Sequence, residues 1–500
     1  MVTSRMTLHA SSAVLLTVAE MGRADRLTIA RGRPGIELME RAGAAVAAAV
    51  RRRWPDGSVA VLCGPGNNGG DGFVAARLLR EAGRTVRLGC LVPVEVLKGD
   101  ARSAAERWGD VAPLDPAILD DDPVVVDALF GAGLARPLDG MARRLIDIVA
   151  DRRLPCLAVD IPSGVHGDTG AVLGAAATAT ATVTFFRRKP GHLLMPGRLR
   201  CGPVEVADIG IPDDVLDGIA PATWENRPEL WAGALRWPSP VGHKYDRGHA
   251  VVFGGAELTG AARLAARAAR RIGAGLVTIA APRAAHAIYA SDWPGTLTLA
   301  VEDAAGAESL LDDPRRNAVL VGPGHGVGEV TASYACAALA RGRAAVLDAD
   351  ALTSFAGRPE RLFSSIRSTC VLTPHEGEFA RLFPDIDQGG KVTRARLAAR
   401  RSDAIVLLKG ADTVIAAPDG RAAISANAPP TLATAGTGDV LAGMILGLLA
   451  QGVPGFEAAA AASWMHGAAA AAFGAGLVAE DVVDMLPQVL RKLQAGRAGE

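Results

Sequence analysis

The sequence predicts an α/β protein of two domains, each built around a largely parallel sheet. Short apolar runs alternate with helical patterns from residue 51 to about residue 210, and the alternation starts again near residue 250. Strands that alternate with helices favour a parallel sheet that helices cover on both faces. A chain of 500 residues is also long for one domain, because a domain usually holds roughly 100–200 residues.

The elements of the first half follow from apolar runs that end at glycine or at polar residues. A helix is expected at 71–82, where apolar side chains recur with a period of about 3.6 residues and Gly83 can terminate the helix. Strands are expected at 58–63, 86–91, 124–127, 156–160 and 183–186.

The segment from Pro212 to His243 is rich in proline and tryptophan and lacks a clear period, so the domain boundary is expected near Ala220. The predicted domains are residues 1–220 and 221–500, and no sequence repeat relates them. In the second domain, strands are expected at 250–253, 276–280, 318–321, 345–347, 370–372 and 405–408. Helices are expected at 260–272, 330–341, 439–450, 456–473 and 481–493.

The composition argues against several classes of partner. Lysine plus arginine and aspartate plus glutamate both number 53, so no net charge attracts nucleic acid or an anionic membrane. The longest apolar helical run, 440–450, is far shorter than the ~20 residues that span a bilayer, and residues 1–24 lack a signal-peptide pattern. Six cysteines without a CxxC pair indicate reduced thiols and a cytoplasmic protein.

The most informative segment of the second half is GTGD at 436–439, which leads directly into an apolar helix. Glycine permits a tight turn, and the amides and dipole of a helix N-terminus attract phosphate. A carboxylate beside phosphate is unfavourable unless it takes a proton from a hydroxyl that attacks phosphorus. Asp439 is therefore a candidate base for phosphoryl transfer, and an ordinary helix cap is the alternative interpretation.

Polar or glycine-rich segments also follow four predicted strands of this half, at 254–255, 322–326, 373–378 and 409–413. Open α/β sheets bind ligands at the carboxyl ends of their strands. Lys409 can contact phosphate as a point charge, and Gly410 lets the backbone approach a ligand. These segments together predict one shared crevice.

These segments resemble the ribokinase superfamily and, more specifically, the ADP-dependent NAD(P)H-hydrate dehydratases, over residues 224–493. The resemblance is carried by GG at 254–255, TGAARLAARAARRIGAGLV at 259–277, VGPG at 321–324, LDADAL at 347–352, LTPHEGEFARL at 372–382, LKGADT at 408–413 and AGTGDVLAG at 435–443. It implies a ribokinase-like fold in which ADP, accompanied by Mg²⁺, phosphorylates the C6 hydroxyl of the hydrate before phosphate is expelled.

By this resemblance Asp439 removes the hydroxyl proton, while the loop amides steady the moving phosphoryl group. His375 either contacts the hydrate or caps the helix beginning near Glu376. Asp348 and Asp350 form either a metal or substrate site or a strand-end turn. The implied hydrate contacts are Ala261, Gly324, His375 and Asp439, and the implied ADP/AMP contacts are Lys409, Gly410, Ala411, Asp412, Thr413 and Gly438.

In the first half, CGPGNNGGDG at 63–72 follows a strand and opens a helix, without the lysine of a P-loop. Such a loop can hold phosphate or ribose through its amides and offer oxygens to a cation. Asp127 and Asp160 end two further strands, and Ser163 follows the second. This oxygen set favours an alkali or alkaline-earth ion over zinc, and polar ends of buried strands are the alternative for both aspartates.

These segments resemble the NAD(P)H-hydrate epimerases, which have a Rossmann-like fold, over residues 16–210. The resemblance implies that Asp160 is the acid–base residue at C6 and that Lys189, within TFxxxKxG at 184–191, lies near the substrate phosphates. It implies a potassium site formed by Asn68, Asp127 and Ser163. The implied hydrate contacts are Asn67, Asn68, Gly69, Gly70, Asp71, Gly131, Ala132, Gly133, Leu134, Ala135, Arg136, Pro137 and Asp160.

Both resemblances together imply a bifunctional repair enzyme that interconverts R and S hydrates and dehydrates the S form, giving AMP and phosphate from ADP. A homo-oligomer is expected, with neither nucleic acid nor a membrane as partner. One alternative is a ribokinase-type small-molecule kinase fused to a Rossmann-like binding domain, which would release a stable phosphorylated product. The other is a non-enzymatic binding protein, which would bind nucleotide without turnover.

Overall fold

The computed structural model describes residues 12–498, and the chain forms two compact units that divide between Thr223 and Trp224. Each unit contains its own β-sheet, whose strands alternate with helices along the chain, and this confirms the predicted α/β fold class. The first 11 residues of the segment searched for a signal peptide lie outside the described part of the chain. Within residues 12–498, no helix is long and apolar enough to cross a bilayer.

The first unit alternates strands with helices along most of its length. Its strands are β1 (Val14–Leu15), β2 (Val59–Cys63), β3 (Val86–Cys90), β4 (Ala112–Pro113), β5 (Val124–Ala128), β6 (Cys156–Val159), β7 (Ala181–Phe185) and β8 (Val204–Ala207). Its helices are α1 (Val18–Ala30), α2 (Gly35–Arg53), α3 (Asn67–Glu81), α4 (Gly99–Trp108), α5 (Gly140–Asp151), α6 (Arg198–Cys201) and α7 (Val215–Ile219).

The strands from β2 to β8 form a parallel sheet in the order β4-β3-β2-β5-β6-β7-β8. Every residue of β2, β5, β6 and β7 is buried, which explains why these strands read as continuous apolar runs. The strand order reverses at β2, because β3 lies on one side of it and β5 on the other. Ligands of open α/β sheets bind at such a reversal.

The helix predicted at 71–82 begins earlier, at Asn67, so its predicted start is wrong. Glycines expected in a loop instead form the first turns of α3, where they pack tightly on the sheet. A Cβ at Gly69 would lie 2.0 Å from the carbonyl oxygen of Gly64, and one at Gly72 would lie 2.6 Å from the Cβ of Ala128. The glycines therefore allow the helix to begin directly against the strand ends.

The second unit also alternates strands with helices. Its strands are β9 (Thr223–Glu225), β10 (His249–Phe253), β11 (Leu276–Ala281), β12 (Leu297–Ala300), β13 (Ala318–Val321), β14 (Ala344–Leu347), β15 (Cys370–Leu372), β16 (Ile405–Leu408), β17 (Val414–Ala416) and β18 (Ala422–Ile424). Its helices are α8 (Thr259–Arg271), α9 (His286–Ala290), α10 (Ala304–Leu311), α11 (Glu329–Ala340), α12 (Asp350–Ser354), α13 (Pro359–Phe363), α14 (Glu376–Leu382), α15 (Lys391–Ser402), α16 (Thr437–Ala450), α17 (Gly455–Phe473) and α18 (Ala479–Ala498).

The sheet of the second unit runs in the order β9-β18-β17-β16-β15-β14-β13-β10-β11-β12. Pairing is parallel from β12 to β16, and β16, β17 and β18 pair in antiparallel fashion. The predicted strands correspond to β10, β11, β13, β14, β15 and β16, and the predicted helices to α8, α11, α16, α17 and α18. The short strands β12, β17 and β18 were not predicted.

Helix α16 packs closely on helix α8 because glycines lie at the contact. A Cβ at Gly443 would lie 2.2 Å from the carbonyl oxygen of Ala265, and one at Gly447 would lie 2.6 Å from that of Ala269. Since both obstructing atoms belong to the backbone, a side chain could fit only if the helices moved apart. Nearly all of α16 is buried in the core of the unit.

We expect Gly443→Ala to lower the free energy of unfolding by about 1–3 kcal/mol, the usual cost of overpacking a core. Gly260→Ala, on the partner helix, is the matched control, because a Cβ there has no heavy atom within 4 Å and alanine favours the helix. Urea unfolding of both variants measures the difference. Equal stability of the two variants would contradict the close packing described here.

Candidate active sites

A cavity of about 780 Å³ opens at the carboxyl ends of the first unit's strands. Helix α3 and the segment after β5 supply much of its lining, and Asp160 and Lys189 complete its polar side. The predicted hydrate contacts that line it are Asn67, Asn68, Asp71, Gly131, Ala132, Gly133, Leu134, Ala135, Arg136 and Asp160. Gly69, Gly70 and Pro137 do not line it; the two glycines pack against Gly64 and Met39, and Pro137 is exposed.

Asp160 lies at the centre of the polar side of this cavity. Its Oδ1 accepts hydrogen bonds from Lys189 Nζ at 2.6 Å and Thr184 Oγ1 at 2.9 Å, and its Oδ2 accepts from the Ala132 amide at 2.9 Å. Burial opposes ionisation, yet the Lys189 ammonium outweighs it and lowers the pKa of Asp160 to about 2. Asp160 is therefore a carboxylate at neutral pH.

The sequence suggested that Lys189 lies near the substrate phosphates, but the structure shows its ammonium group engaged within the protein. Its side chain is 2% exposed, and its Nζ donates to Thr184 as well as to Asp160. His192 holds the same turn, since its Nδ1 accepts from the Lys189 amide at 2.9 Å and its Nε2 lies 2.8 Å from the Asp160 carbonyl oxygen. Burial lowers the pKa of His192 to about 4, so the neutral ring donates through Nε2.

The amide of Asn68 joins the start of α3 to two strand ends. In the orientation that satisfies both neighbours, it donates to the Val159 carbonyl at 3.1 Å and accepts from the Gly131 amide at 3.3 Å. A Cβ at Gly131 would lie 3.0 Å from Asp160 Oδ2 and equally close to the end of the Asn68 side-chain amide. The backbone therefore passes closely between the two side chains, and a larger residue at position 131 would press on both of them.

Asp127 and Ser163 form a buried oxygen cluster behind the cavity. Asp127 accepts from the Ser163 hydroxyl at 2.6 Å and the Ser163 amide at 2.8 Å, and that hydroxyl lies 3.2 Å from the Phe130 carbonyl oxygen. Within residues 12–498, no cationic side chain pairs with Asp127, and burial raises its pKa. A buried carboxyl group among neutral oxygen atoms is a ligand set that fits a potassium ion, and a bound cation would favour the ionised form of Asp127.

In the second unit, Lys409 pairs with two acidic side chains at the carboxyl edge of the sheet. Its Nζ lies 2.7 Å from Asp348 Oδ1 and 3.8 Å from Glu378 Oε2. A Cβ at Gly438 would lie 3.8 Å from the same Nζ atom. Burial by itself lowers the pKa of Lys409, but the neighbouring carboxylates, of which Asp348 has the largest effect, raise it above its usual value. Lys409 is therefore charged and fixed beside the N-terminus of α16.

Asp439 lies in the first turn of α16, and Gly436, with φ +88°, is the N-cap residue immediately before the helix. Burial, reinforced by the negative charge of Asp348, raises the pKa of Asp439 to about 6. A carboxyl with that pKa is ionised at neutral pH and accepts a proton more readily than an ordinary aspartate. The free amides of the helix N-terminus favour an anion at the same place.

Loops that follow the neighbouring strands β10, β13 and β14 contact one another at the carboxyl edge of the sheet. A Cβ at Gly255 would lie 1.9 Å from the Gly324 carbonyl oxygen, and one at Gly324 would lie 3.3 Å from the Ala261 Cβ. The Gly326 amide donates to Asp350 Oδ2 at 2.8 Å. Asp348 pairs with Lys409, and Asp350 accepts the hydrogen bond that fixes the turn at Gly326. Within residues 12–498, no group of three or more His, Cys, Asp or Glu side chains is arranged to hold a metal ion.

His375 caps the N-terminus of helix α14, which is one of the two roles expected for it. Its Nδ1 accepts from the amides of Gly377 at 2.9 Å and Glu378 at 3.2 Å, while its own amide donates to Glu378 Oε2 at 2.9 Å. Glu378 in turn faces Lys409. The contact of His375 with the hydrate stays a prediction.

The loop at 409–413 is held by a lysine that the sequence did not single out. Lys391 Nζ donates to Asp412 Oδ1 at 2.7 Å and to the Lys409 carbonyl at 3.3 Å. The Thr413 hydroxyl lies within hydrogen-bonding distance of both backbone polar groups of Gly410. The turn that follows β16 is therefore fixed by side chains at both of its ends.

Comparison with known proteins assigns the two units. The family model for NAD(P)H-hydrate dehydratase matches residues 250–493, and the model for the YjeF-related protein N-terminus matches residues 35–191. The bifunctional NAD(P)H-hydrate repair enzyme Nnr of Salinibacter ruber is 40% identical over 95% of this chain and 96% of its own. The chain belongs to this family of bifunctional NAD(P)H-hydrate repair enzymes.

Other members of the repair-enzyme family match over nearly their whole length. Nnr of Moorella thermoacetica is 40% identical over 96% of this chain and 97% of its own. Among solved structures, the ADP/ATP-dependent NAD(P)H-hydrate dehydratase of Bacillus subtilis, co-crystallised with ATP/Mg²⁺, is 28% identical with a TM-score of 0.48. It covers 54% of this chain, and the match includes 98% of that structure.

Sequence reasoning gave no role to several side chains in the two sites of this repair enzyme. Thr184 and His192 contact Asp160, and Glu378 lies 3.8 Å from Lys409, although each partner is distant in sequence. Asp25, on α1, lines the first cavity and gave no local signal. Motif spacing could not find these residues, because tertiary packing brings them to the site.

Proposed function

We propose that the first unit interconverts the R and S hydrates of NAD(P)H, and that the second dehydrates the S form with ADP, giving AMP and phosphate. The observation that carries the second step is Asp439, a carboxyl with a pKa raised to about 6 at the N-terminus of a buried helix. A proton acceptor beside an anion site suits phosphorylation of a hydroxyl.

The proposed dehydration uses phosphorylation to create a leaving group. Hydroxide leaves C6 poorly, so Asp439 takes the proton of the C6 hydroxyl as that oxygen attacks the β-phosphorus of ADP. The amides at the start of α16 stabilise the charge of the transferred group, and Lys409 adds a fixed positive charge. The lone pair of the ring nitrogen then expels phosphate, and loss of a proton from C5 restores the dihydronicotinamide.

The remaining residue assignments of the second unit are those that the family resemblance implies. Ala261 and Gly324 would bound the hydrate, and the loop containing Lys409 and Thr413 would hold the adenine nucleotide. When bound with the nucleotide, Mg²⁺ would offset phosphate charge. We further propose a homo-oligomeric cytoplasmic enzyme that uses neither nucleic acid nor a membrane as partner.

In the first unit, we propose that Asn68, Asp127 and Ser163 hold potassium. A bound cation would neutralise the buried Asp127 carboxylate and fix the neighbouring strand ends, while Asp160 faces the ring of the hydrate. We assign the epimerase activity to residues 1–220 and the dehydratase activity to residues 221–500.

Mixed R and S hydrates test the function directly. The purified protein is incubated with them alone, with ADP and with ATP, and chromatography follows both hydrates, NAD(P)H and phosphate. We expect interconversion without nucleotide, and conversion of both forms to NAD(P)H with release of phosphate when ADP is present. A stable phosphorylated hydrate would instead indicate a kinase, and an absence of turnover would indicate a binding protein.

The raised pKa of Asp439 predicts the pH dependence of dehydration. The active form of a base is unprotonated, so the rate should rise as pH increases through about 6 and level off above it. The rate of dehydration of purified S hydrate, measured with saturating ADP across this range, tests the prediction. A rate that falls as pH rises through 6 would show that the reaction needs a protonated group instead.

A further inference from the structure

One wall of the first unit's cavity is apolar except for a single carboxyl. Helices α1 and α2 form this wall, and its apolar side chains include Met21, Ile29, Leu38 and Met39. Asp25 projects from the same face of α1, because it lies four residues from Met21 and four from Ile29. An acidic side chain on an apolar wall of a substrate cavity has a cost in solvation that packing alone does not explain.

Asp25, Asp71 and Asp100 are carboxyls of the cavity that lack partners, and Asp100 projects from α4 rather than from the apolar wall. Within residues 12–498, none of the three side chains has a hydrogen-bond or ion-pair partner in the protein. Asp71, on α3, is only 8% exposed, and Asp25 is half-buried. Asp160 differs from both, because Lys189, Thr184 and the Ala132 amide occupy its oxygens. The unpartnered carboxyls are the ones free to exchange protons with a ligand.

The charges around Asp25 set its protonation. Burial and the Asp160 carboxylate raise its pKa to about 6, against the lowering effect of Lys189 and Arg26. Burial, together with Asp160 and Asp25, raises the pKa of Asp71 well above its usual range. Asp160 stays ionised. Among the three carboxyls that influence one another, Asp160 is therefore a fixed anion, Asp71 keeps its proton, and Asp25 can gain or lose a proton near neutral pH.

We propose that Asp25 is the catalytic residue that gives a proton to the C6 oxygen of the hydrate and takes one back during epimerisation, while Asp160 acts as a fixed anion. This inference rests on the proposed epimerase function. The Asp25 proton passes to the C6 hydroxyl, the C6–O bond breaks to release water, and the nitrogen lone pair forms a cationic N1=C6 bond. Water then adds to the other face, and its proton returns to the Asp25 carboxylate.

This sequence of steps balances, since one water molecule leaves and one adds, and the proton given is recovered. The Asp160 carboxylate stabilises the cationic ring between the two steps. The family resemblance implied Asp160 as the acid–base residue, but in our proposal Asp160 does not supply this proton, because it is ionised and held by Lys189. The first step therefore needs a second carboxyl, and Asp25 has the protonation state and the access that the step requires.

The test compares wild type with Asp25→Asn, Asp25→Glu and the control Asp217→Asn, which makes the same change at an exposed position of the same unit. R-to-S conversion is measured without nucleotide, after subtraction of the enzyme-free rate, at several pH values between about 5 and 8. We expect Asp25→Asn to lower kcat about 100-fold or more with little change in KM. Asp25→Glu should recover part of the rate, and Asp217→Asn should match wild type.

The pH profile gives a readout that a purely structural role would not change. Because the acid form starts the reaction, wild-type kcat/KM for epimerisation should fall as pH rises through about 6, and Asp25→Asn should lose that dependence. Wild-type kcat in Asp25→Asn, a defect confined to KM, or an unchanged pH profile would each overturn the proposal. Failure of the wild-type chain itself to interconvert the hydrates would instead overturn the epimerase function.

Discussion

Replacing Asp439 by asparagine is expected to slow ADP-dependent dehydration of the S hydrate about 10²–10⁴-fold, the usual contribution of a general base. Asparagine keeps the size of the side chain at the start of α16 but cannot accept the hydroxyl proton. The reaction is followed as formation of NAD(P)H from purified S hydrate and ADP. Binding of ADP, measured by calorimetry, should change little, because the loop at 409–413 is untouched.

The same variant contains its own control for folding and concentration. Interconversion of R and S hydrates should proceed at the wild-type rate, since Asp439 belongs to the second unit. Glu480→Gln, an exposed change from acid to amide in that unit, should retain both activities. Normal dehydration by Asp439→Asn would exclude Asp439 as the base.

Replacing Lys189 by methionine is expected to lower the free energy of unfolding by about 3–5 kcal/mol at neutral pH, the usual cost of leaving one buried charge without its partner. Asp160 would then be a carboxylate whose remaining donors are the Thr184 hydroxyl and the Ala132 amide. Methionine preserves the length and apolar packing of the lysine stem. Urea unfolding of the intact chain, followed by circular dichroism, measures the loss.

The double variant Lys189→Met/Asp160→Asn separates charge from packing. Removing both charges should recover most of the lost stability, because an asparagine needs no counter-charge. The deficit of the single variant should also shrink as pH falls from about 4 to about 2. The folded pKa of Asp160 is depressed to about 2, so its contribution is present above the unfolded value and is lost as the carboxylate becomes protonated. A double variant as unstable as the single one would contradict the role assigned to the ion pair.

The strand ends could be predicted from sequence because their signals are local. A buried parallel strand is a continuous apolar run, and the segment after it uses glycine or polar residues, as at 63–72 and 409–413. The parallel pairing of neighbouring strands then brings those segments to one edge of each sheet. This reasoning located Asp160 and Lys409, and the glycine-rich start of an apolar helix located Asp439, without any knowledge of their partners.

The chemical state of those residues could not be predicted in the same way. Lys189 is separated from Asp160 by 29 residues, and Lys409 from Asp348 by 61 residues. Whether a carboxyl is ionised depends on such distant charges and on burial. Asp25 lies in a helix without a motif, and the antiparallel strands β17 and β18 are only 3 residues long, too short for a periodic pattern.

The glycine contact between α8 and α16 also bears on how the second unit aligns its reactants. Gly443 lies one helical turn beyond Asp439, and Ala265 lies one turn beyond Ala261. The distance between Asp439 and Ala261 is therefore fixed by the contact one turn further along both helices. There the carbonyl oxygen of Ala265 occupies the space that a Cβ at Gly443 would need. A methyl group added at Gly443 would therefore move the two helices apart and increase the distance between Asp439 and the hydroxyl from which it takes the proton, although position 443 lies outside the proposed site.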